Sequence, residues 1–395
     1  MSQRKAGHCT FSENVRHLGL LHRRQGITMP FNLTRRHCLL AAVASSGVAW
    51  RPSLSETAPR DDLLGGGRFQ EARDGPFRYT VSRVQPSTGS VKLIDVPFFP
   101  HGLTVYPLNR QRIFAFEKIG PGAGVIDLAS MRWLSTIAPV NNRQFYGHGA
   151  CSPDGEFLYS TETDAQGVGA IGMREAASLR YVGDFPSFGA NPHDCVLIEN
   201  GQVMAVTNGG GVGDSRDTPC VSYVDVRTRK LLDKSEMPDA RFNTGHLFTL
   251  PGRESVVVSA PRLGLGVAHP GAISRQKPGQ PLAVFKTPEA VTQGLLGEAL
   301  SVLALPSRDL LIVTHPTPGL VTFWRLGNGA HIKSLALAHA RGIVQGLDAQ
   351  TLWISYGAAA SLQALSLSKL ELLPNGAMDN TLLAGSHLFN HALMP

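Results

Sequence analysis

Four histidines recur through the chain at near-constant spacing: His101 in PHGL, His148 in GHGA, His193 in PHDC and His246 in GHLF, 47, 45 and 53 residues apart. A neutral imidazole offers one bare ring nitrogen, and several aimed at one point would suit iron, copper or zinc. A second reading stays open. Each histidine would then pin a loop by bonding a backbone carbonyl, a structural role like that of the Gly-His histidine of WD-type repeats, which hydrogen-bonds within its blade. His148 stands only four residues before Ser152, which opens the Ser-Pro-Asp-Gly turn, so it must lie in or beside a short strand. Asp194, next to His193, either orients an imidazole from behind or ends a loop. Cys151 and Cys195 follow two of the histidines. A thiolate is a strong soft ligand, but both fill otherwise apolar positions and read as small core residues. Arg241, in the loop of His246, reads as a solvated arginine or as an anion anchor. His315, His331, His339, His387 and His391 have no regular spacing and read as surface or loop groups.

The elements that would position the four histidines come from a repeat. Six segments share one layout of apolar stretch, turn and β-rich strand, with turns near residues 109, 155, 201, 252, 307 and 348. Each is followed by a second strand–turn–strand half, as in Val221-Ser-Tyr-Val-Asp-Val before Lys230-Leu-Leu. Four strands per repeat of ~45 residues is the pattern of a β-propeller blade. Residues 77–96 supply half of another blade, and Leu388 to Leu393 would supply a missing strand and close the ring. The expectation is an all-β chain forming one propeller of seven four-stranded blades, with six or eight as alternatives. In such a ring the first strand of each blade lines the axial channel, and four consecutive blades would aim four imidazoles at one channel mouth. The glycine runs Gly120–Gly124 and Gly209–Gly211 precede no helix and read as blade loops rather than phosphate cradles. No HExxH, GxSxG or P-loop motif occurs.

Composition limits the partners. The formal net charge is +7, but nine of the 37 Lys and Arg and only two of the 30 acidic residues fall in residues 1–60, so the remainder is balanced at 28 and 28. The basic excess sits in the leader and not in the repeat region, which argues against nucleic acid as a partner. In that leader Arg35 and Arg36 precede an apolar run from Leu39 to Trp50. The run is too short to span a bilayer and reads as an export signal of the twin-arginine type, which implies the twin-arginine export machinery as a partner and a periplasmic destination. The expected organisation is a leader over 1–58, with Met29 as an alternative start, a linker over 59–75 containing Gly65-Gly66-Gly67, and a propeller over 76–395. No later segment is apolar enough to anchor the processed form in a membrane.

GHGACSPDGEFLYSTET, PHDCVLIENG, AVTNGGG and the Gly245-His246-Leu247 step, in that order, resemble the twin-arginine-exported bacterial propellers grouped as domain of unknown function 1513. The resemblance covers about residues 70–395 and matches His101, His148, His193 and His246. It departs where the group commonly has arginine, at Tyr146 and Gly245. Members are often encoded beside periplasmic iron-uptake proteins, so the resemblance implies a metal-related role with such proteins as partners. The reading is therefore a periplasmic propeller that binds a metal (iron or copper) or a small ligand at a histidine-lined mouth, an accessory of iron acquisition. A propeller enzyme using the same mouth, and an interaction scaffold without chemistry, are the alternatives.

Overall fold

The computed structural model describes residues 60–395 apart from 73, 141 and 213–216, so the leader reading with Arg35 and Arg36 lies outside the described residues. Seven four-stranded antiparallel sheets form a β-propeller, as the repeat predicts. Blade 1 pairs Phe389–Asn390 with Leu63–Gln70, Phe77–Gln85 and Ser90–Val96. Blades 2 to 7 occupy residues 100–136, 143–190, 192–236, 247–284, 302–336 and 343–378.

The ring closes as expected, with a C-terminal strand innermost in blade 1, but the N-terminal contribution is larger than the sequence suggests. Leu63–Gln70, placed above in a linker, is the second strand of that blade, and Leu63 and Leu64 are fully buried. The three glycines mislead because they mark contact and not slack. A Cβ on Gly66 would stand 2.2 Å from the Pro100 carbonyl oxygen, and one on Gly67 2.4 Å from Thr80 Oγ1.

Seven apolar clusters hold the ring, one between each pair of neighbouring blades. Because successive strand residues point to opposite faces, each middle strand feeds two clusters. In Arg112–Glu117, Ile113 and Ala115 pack towards blade 1, while Phe114 and Phe116 pack towards blade 3. This is why the second strands read as continuous apolar runs.

A hydroxyl latch repeats around the axis. The backbone N–H of His148 donates to Thr161 Oγ1 (3.2 Å), Asp194 to Thr207 Oγ1 (3.0 Å), Ser301 to Thr314 Oγ1 (3.0 Å) and Gly342 to Ser355 Oγ (3.0 Å), each across thirteen residues. Three of the hydroxyls reach on to the next blade: Thr207 donates to Gly245 O, Thr314 to Arg341 O, and Thr161 shares its one proton between His148 O (3.1 Å) and His193 O (3.2 Å). The latch satisfies a buried N–H that would otherwise cost ~1–3 kcal/mol and ties the inner strands to one another where they surround the channel.

Candidate functional site

The four periodic histidines do converge, and irregular pairing is what turns them inward. The ladder between inner and second strands slips between Pro100 and Gly102, between Phe145 and Gly149, and between Pro192 and Cys195. His101, His148 and His193 sit inside those slips, where an unpaired residue is free to be re-aimed. His246 immediately precedes its inner strand Leu247–Leu250. Glycines clear the space. Gly147 has φ +120°, and a Cβ there would meet His193 Cε1 at 2.9 Å and His101 Cδ2 at 3.2 Å.

The ring nitrogens form a tight group. His101 Nε2 lies 3.2 Å from His193 Nε2, His193 Nε2 2.9 Å from His246 Nε2, and His246 Nε2 3.4 Å from His101 Nε2. With His148 included, one ligand atom from each of the four falls within 4.8 Å of the others. A fifth imidazole joins them: His387 Nε2 is 2.9 Å from His246 Nε2, and its ring stacks edge-on to those of His101, His148 and His246. This corrects the surface reading of His387. It lies two residues before the inner-strand segment of blade 1 that comes from the C terminus, so closure of the ring breaks the spacing that reveals the other four.

Two tautomers follow from backbone partners. His193 Nδ1 is 3.0 Å from Tyr146 O and His246 Nδ1 is 2.8 Å from Leu300 O. A carbonyl only accepts, so both Nδ1 atoms carry the proton. Burial drives the His193 ring well below its ordinary pKa and brings His246 down to about 3, so both rings are neutral and both Nε2 atoms are bare lone pairs. They face each other at 2.9 Å. A backbone carbonyl does hold each of these two rings, but it comes from the segment of a neighbouring blade, and it sets up the ligand reading instead of competing with it. His148, also held at about 3 by burial, keeps a buried Nε2 with no hydrogen-bond partner, while its Nδ1 is 3.5 Å from Asp194 Oδ1. Asp194 therefore faces the imidazole of the neighbouring blade and not that of its sequence neighbour His193; its other oxygen accepts from Leu247 N (3.2 Å). Burial also lowers the pKa of His101 and His387 well below the usual value.

Metal–imidazole bonds of about 2.0–2.1 Å at tetrahedral or octahedral angles put ligand nitrogens about 2.9–3.4 Å apart. The three edges fall in that range, so the spacing of the nitrogens suits one transition-metal ion.

The remaining sequence candidates stand apart. Cys195 packs between blades 3 and 4 and Cys151 against the cluster between blades 2 and 3, with burial raising the Cys151 thiol to about 12, so both are core. Arg241 pairs with Asp239 and stays exposed. His315 is not a surface group: it is fully buried in blade 6 with Nε2 2.9 Å from Thr322 Oγ1. His391 is likewise buried and lies 3.6 Å from Asp62 at the ring closure.

Two cavities reach different members of the histidine group. One, of about 300 Å³, is lined by His193 and His246 together with Lys118, Tyr146 and Glu298. The other, of about 480 Å³, is lined by His148, Asp194 and mainly apolar residues such as Leu103, Val196 and Leu388.

The model of the family described as "Protein of unknown function (DUF1513)" matches residues 94–385, and the chain belongs to that family. No curated protein matches by sequence. Among solved structures the chain is similar to the hydrazine synthase of Kuenenia stuttgartiensis (TM-score 0.60, 12% identity, 80% of this chain and 99% of that one). It is also similar to a hypothetical selenium-binding protein of Sulfolobus tokodaii (0.63, 11%, 82% and 92%) and to the periplasmic gluconolactonase of Pseudomonas aeruginosa (0.58, 14%, 83% and 97%). Identities this low speak to the fold.

Proposed function

We propose that this member of the family binds one transition-metal ion in the channel, held by His101, His193 and His246 with His148 and His387 beside them. The observation that carries the reading is the meeting of the His193 and His246 lone pairs at 2.9 Å with a third Nε2 at 3.2 and 3.4 Å. Neutral rings facing one another repel, and a cation between them turns that repulsion into coordination. An all-imidazole set suits iron(II), copper, nickel or zinc and disfavours calcium and magnesium, which take oxygen ligands. Asp194 would act through His148 by fixing its ring.

The cellular reading rests on the leader sequence and the family. It is export by the twin-arginine machinery, a periplasmic location and an accessory role in iron acquisition alongside periplasmic iron-uptake proteins, with iron or copper as the ion. The test is elemental analysis of protein purified from its own periplasm, beside a His148→Ala/His193→Ala variant. One equivalent of metal in the parent and none in the folded variant is expected; metal-free parent protein that also refuses added iron and copper overturns the reading. One observation favours an enzyme instead: His148 and Asp194 form an acid/base pair at the floor of the larger cavity. Turnover that survives metal removal and vanishes in Asp194→Asn would select it.

A further inference from the structure

The charges around the histidine group do not balance a divalent ion. Five neutral imidazoles contribute none, and Asp194 contributes one at most, from the far side of His148. A buried cation left uncompensated is costly, so the coordination sphere calls for an anion, and only one side offers it a polar approach. The smaller cavity opens onto His193 and His246, the two rings whose bare nitrogens are fixed by backbone carbonyls. Lys118 and Tyr146 line the same cavity, and among the described residues neither side chain has a hydrogen-bond or ion-pair partner. The one acid in that lining is Glu298; Arg341 interacts with it through its charge and donates to Gly385 O. The opposite cavity presents aliphatic side chains and the Asp194 carboxylate, which would repel an anion.

We infer that the metal takes a small anionic co-ligand, a carboxylate or inorganic oxyanion, which enters through the Lys118–Tyr146 cavity and is held against the metal by the Lys118 ammonium and the Tyr146 hydroxyl. This rests on the metal reading above. The ligand completes the coordination sphere from the His193–His246 side, the lysine neutralises its outer oxygen, and the tyrosine donates a hydrogen bond. Glu298 on the same wall selects against anions with a second charge pointing outward.

The probe is azide added to the full chain loaded with copper(II), read by the azide-to-copper charge-transfer band, with copper stoichiometry measured on every sample. Saturable azide binding is expected. Loss of one charge-assisted contact in Lys118→Ala should weaken it about 10-fold or more. Glu298→Gln should strengthen it, and Leu393→Asn, on the opposite cavity, should leave it unchanged, all at unaltered copper content. Acetate and phosphate competing with azide would tell carboxylate from oxyanion. Full copper loading with no azide band, or a band indifferent to Lys118 and Glu298, overturns the inference and leaves the metal reading intact. A parent that takes up neither copper nor iron overturns the metal reading itself.

Discussion

Blades 3 and 6 share one latch and differ in the residue it holds. In each, a threonine on the second strand accepts from a backbone N–H thirteen residues earlier, in or just before the inner strand, and reaches on to the next blade, Thr161 to His193 O and Thr314 to Arg341 O. The latched residue is His148 in blade 3 and Ser301 in blade 6, where the serine hydroxyl donates to Ser386 O (3.0 Å). Blade 6 has a buried histidine too, His315, but its ring nitrogen meets Thr322 of its own blade. The latch is thus a property of the fold, found with and without a histidine. The channel histidines are an addition to it, aimed at one another across blades and not at partners at home.

Acid should break both blades at once, with the largest effect. His148 and His246 in the channel and His315 in blade 6 are all held to about 3 by burial. An unfolded chain protonates these rings below about 6.5, while the folded protein keeps them neutral. Their contribution is therefore complete above pH 6.5 and is lost progressively as the pH falls towards 3. At pH 5 each removes on the order of 2 kcal/mol, so together they rival a total stability of about 5–15 kcal/mol. The urea midpoint should fall steeply between pH 7 and pH 5, and less steeply in His315→Asn. A midpoint that does not move over that range would contradict the burial of these rings as neutral species.

Metal affinity should then separate the blades. His246→Ala removes the nitrogen that touches three others and should weaken metal binding by more than about 100-fold, beyond the roughly 10–100-fold typical of losing an outer partner. Ser301→Ala, at the equivalent inner-strand position of blade 6, should leave metal affinity unchanged. Asp194→Asn keeps an acceptor for Leu247 N–H but removes the charge facing His148, and should fall between the two, about 10–100-fold. Competition titration against a chelator of known affinity measures all three. Equal losses in His246→Ala and Ser301→Ala would mean that the ring as a whole, and not the histidine group, sets affinity.

What the chain discloses before folding follows the same division. The blades are legible because a middle strand packed on both faces must be apolar throughout and must end in a turn, and that pattern repeats. The four histidines are legible for the same reason, as they open four consecutive repeats at nearly one position, His193 standing one residue ahead of the latched Asp194. His387 escapes because the blade it serves is assembled from both ends of the chain, so no repeat precedes it at the usual distance. Leu63–Gln70 escapes because glycines selected for close backbone contact look like glycines selected for looseness. The reach of Asp194 across to His148 depends on a slipped ladder between Pro192 and Cys195, and slips leave no mark in residue type.

The finest test removes the latch and keeps the ring. Thr314→Val leaves the Ser301 N–H without its acceptor, and Thr161→Val does the same to His148. Both should cost about 1–3 kcal/mol in denaturant midpoint, since a buried N–H loses its partner in each. They should part company on metal. Thr161 also holds the carbonyl of His193, so its loss frees the backbone on which two of the five rings are mounted, and a loss of metal affinity under about 10-fold is expected, less than for removing an outer partner outright. Thr314 holds Ser301 and Arg341, neither of which contributes a ring nitrogen, so its variant should bind metal as the parent does. If Thr314→Val weakened the metal as much as Thr161→Val, the latch would be transmitting strain around the whole ring, and blade 6 would belong to the site after all.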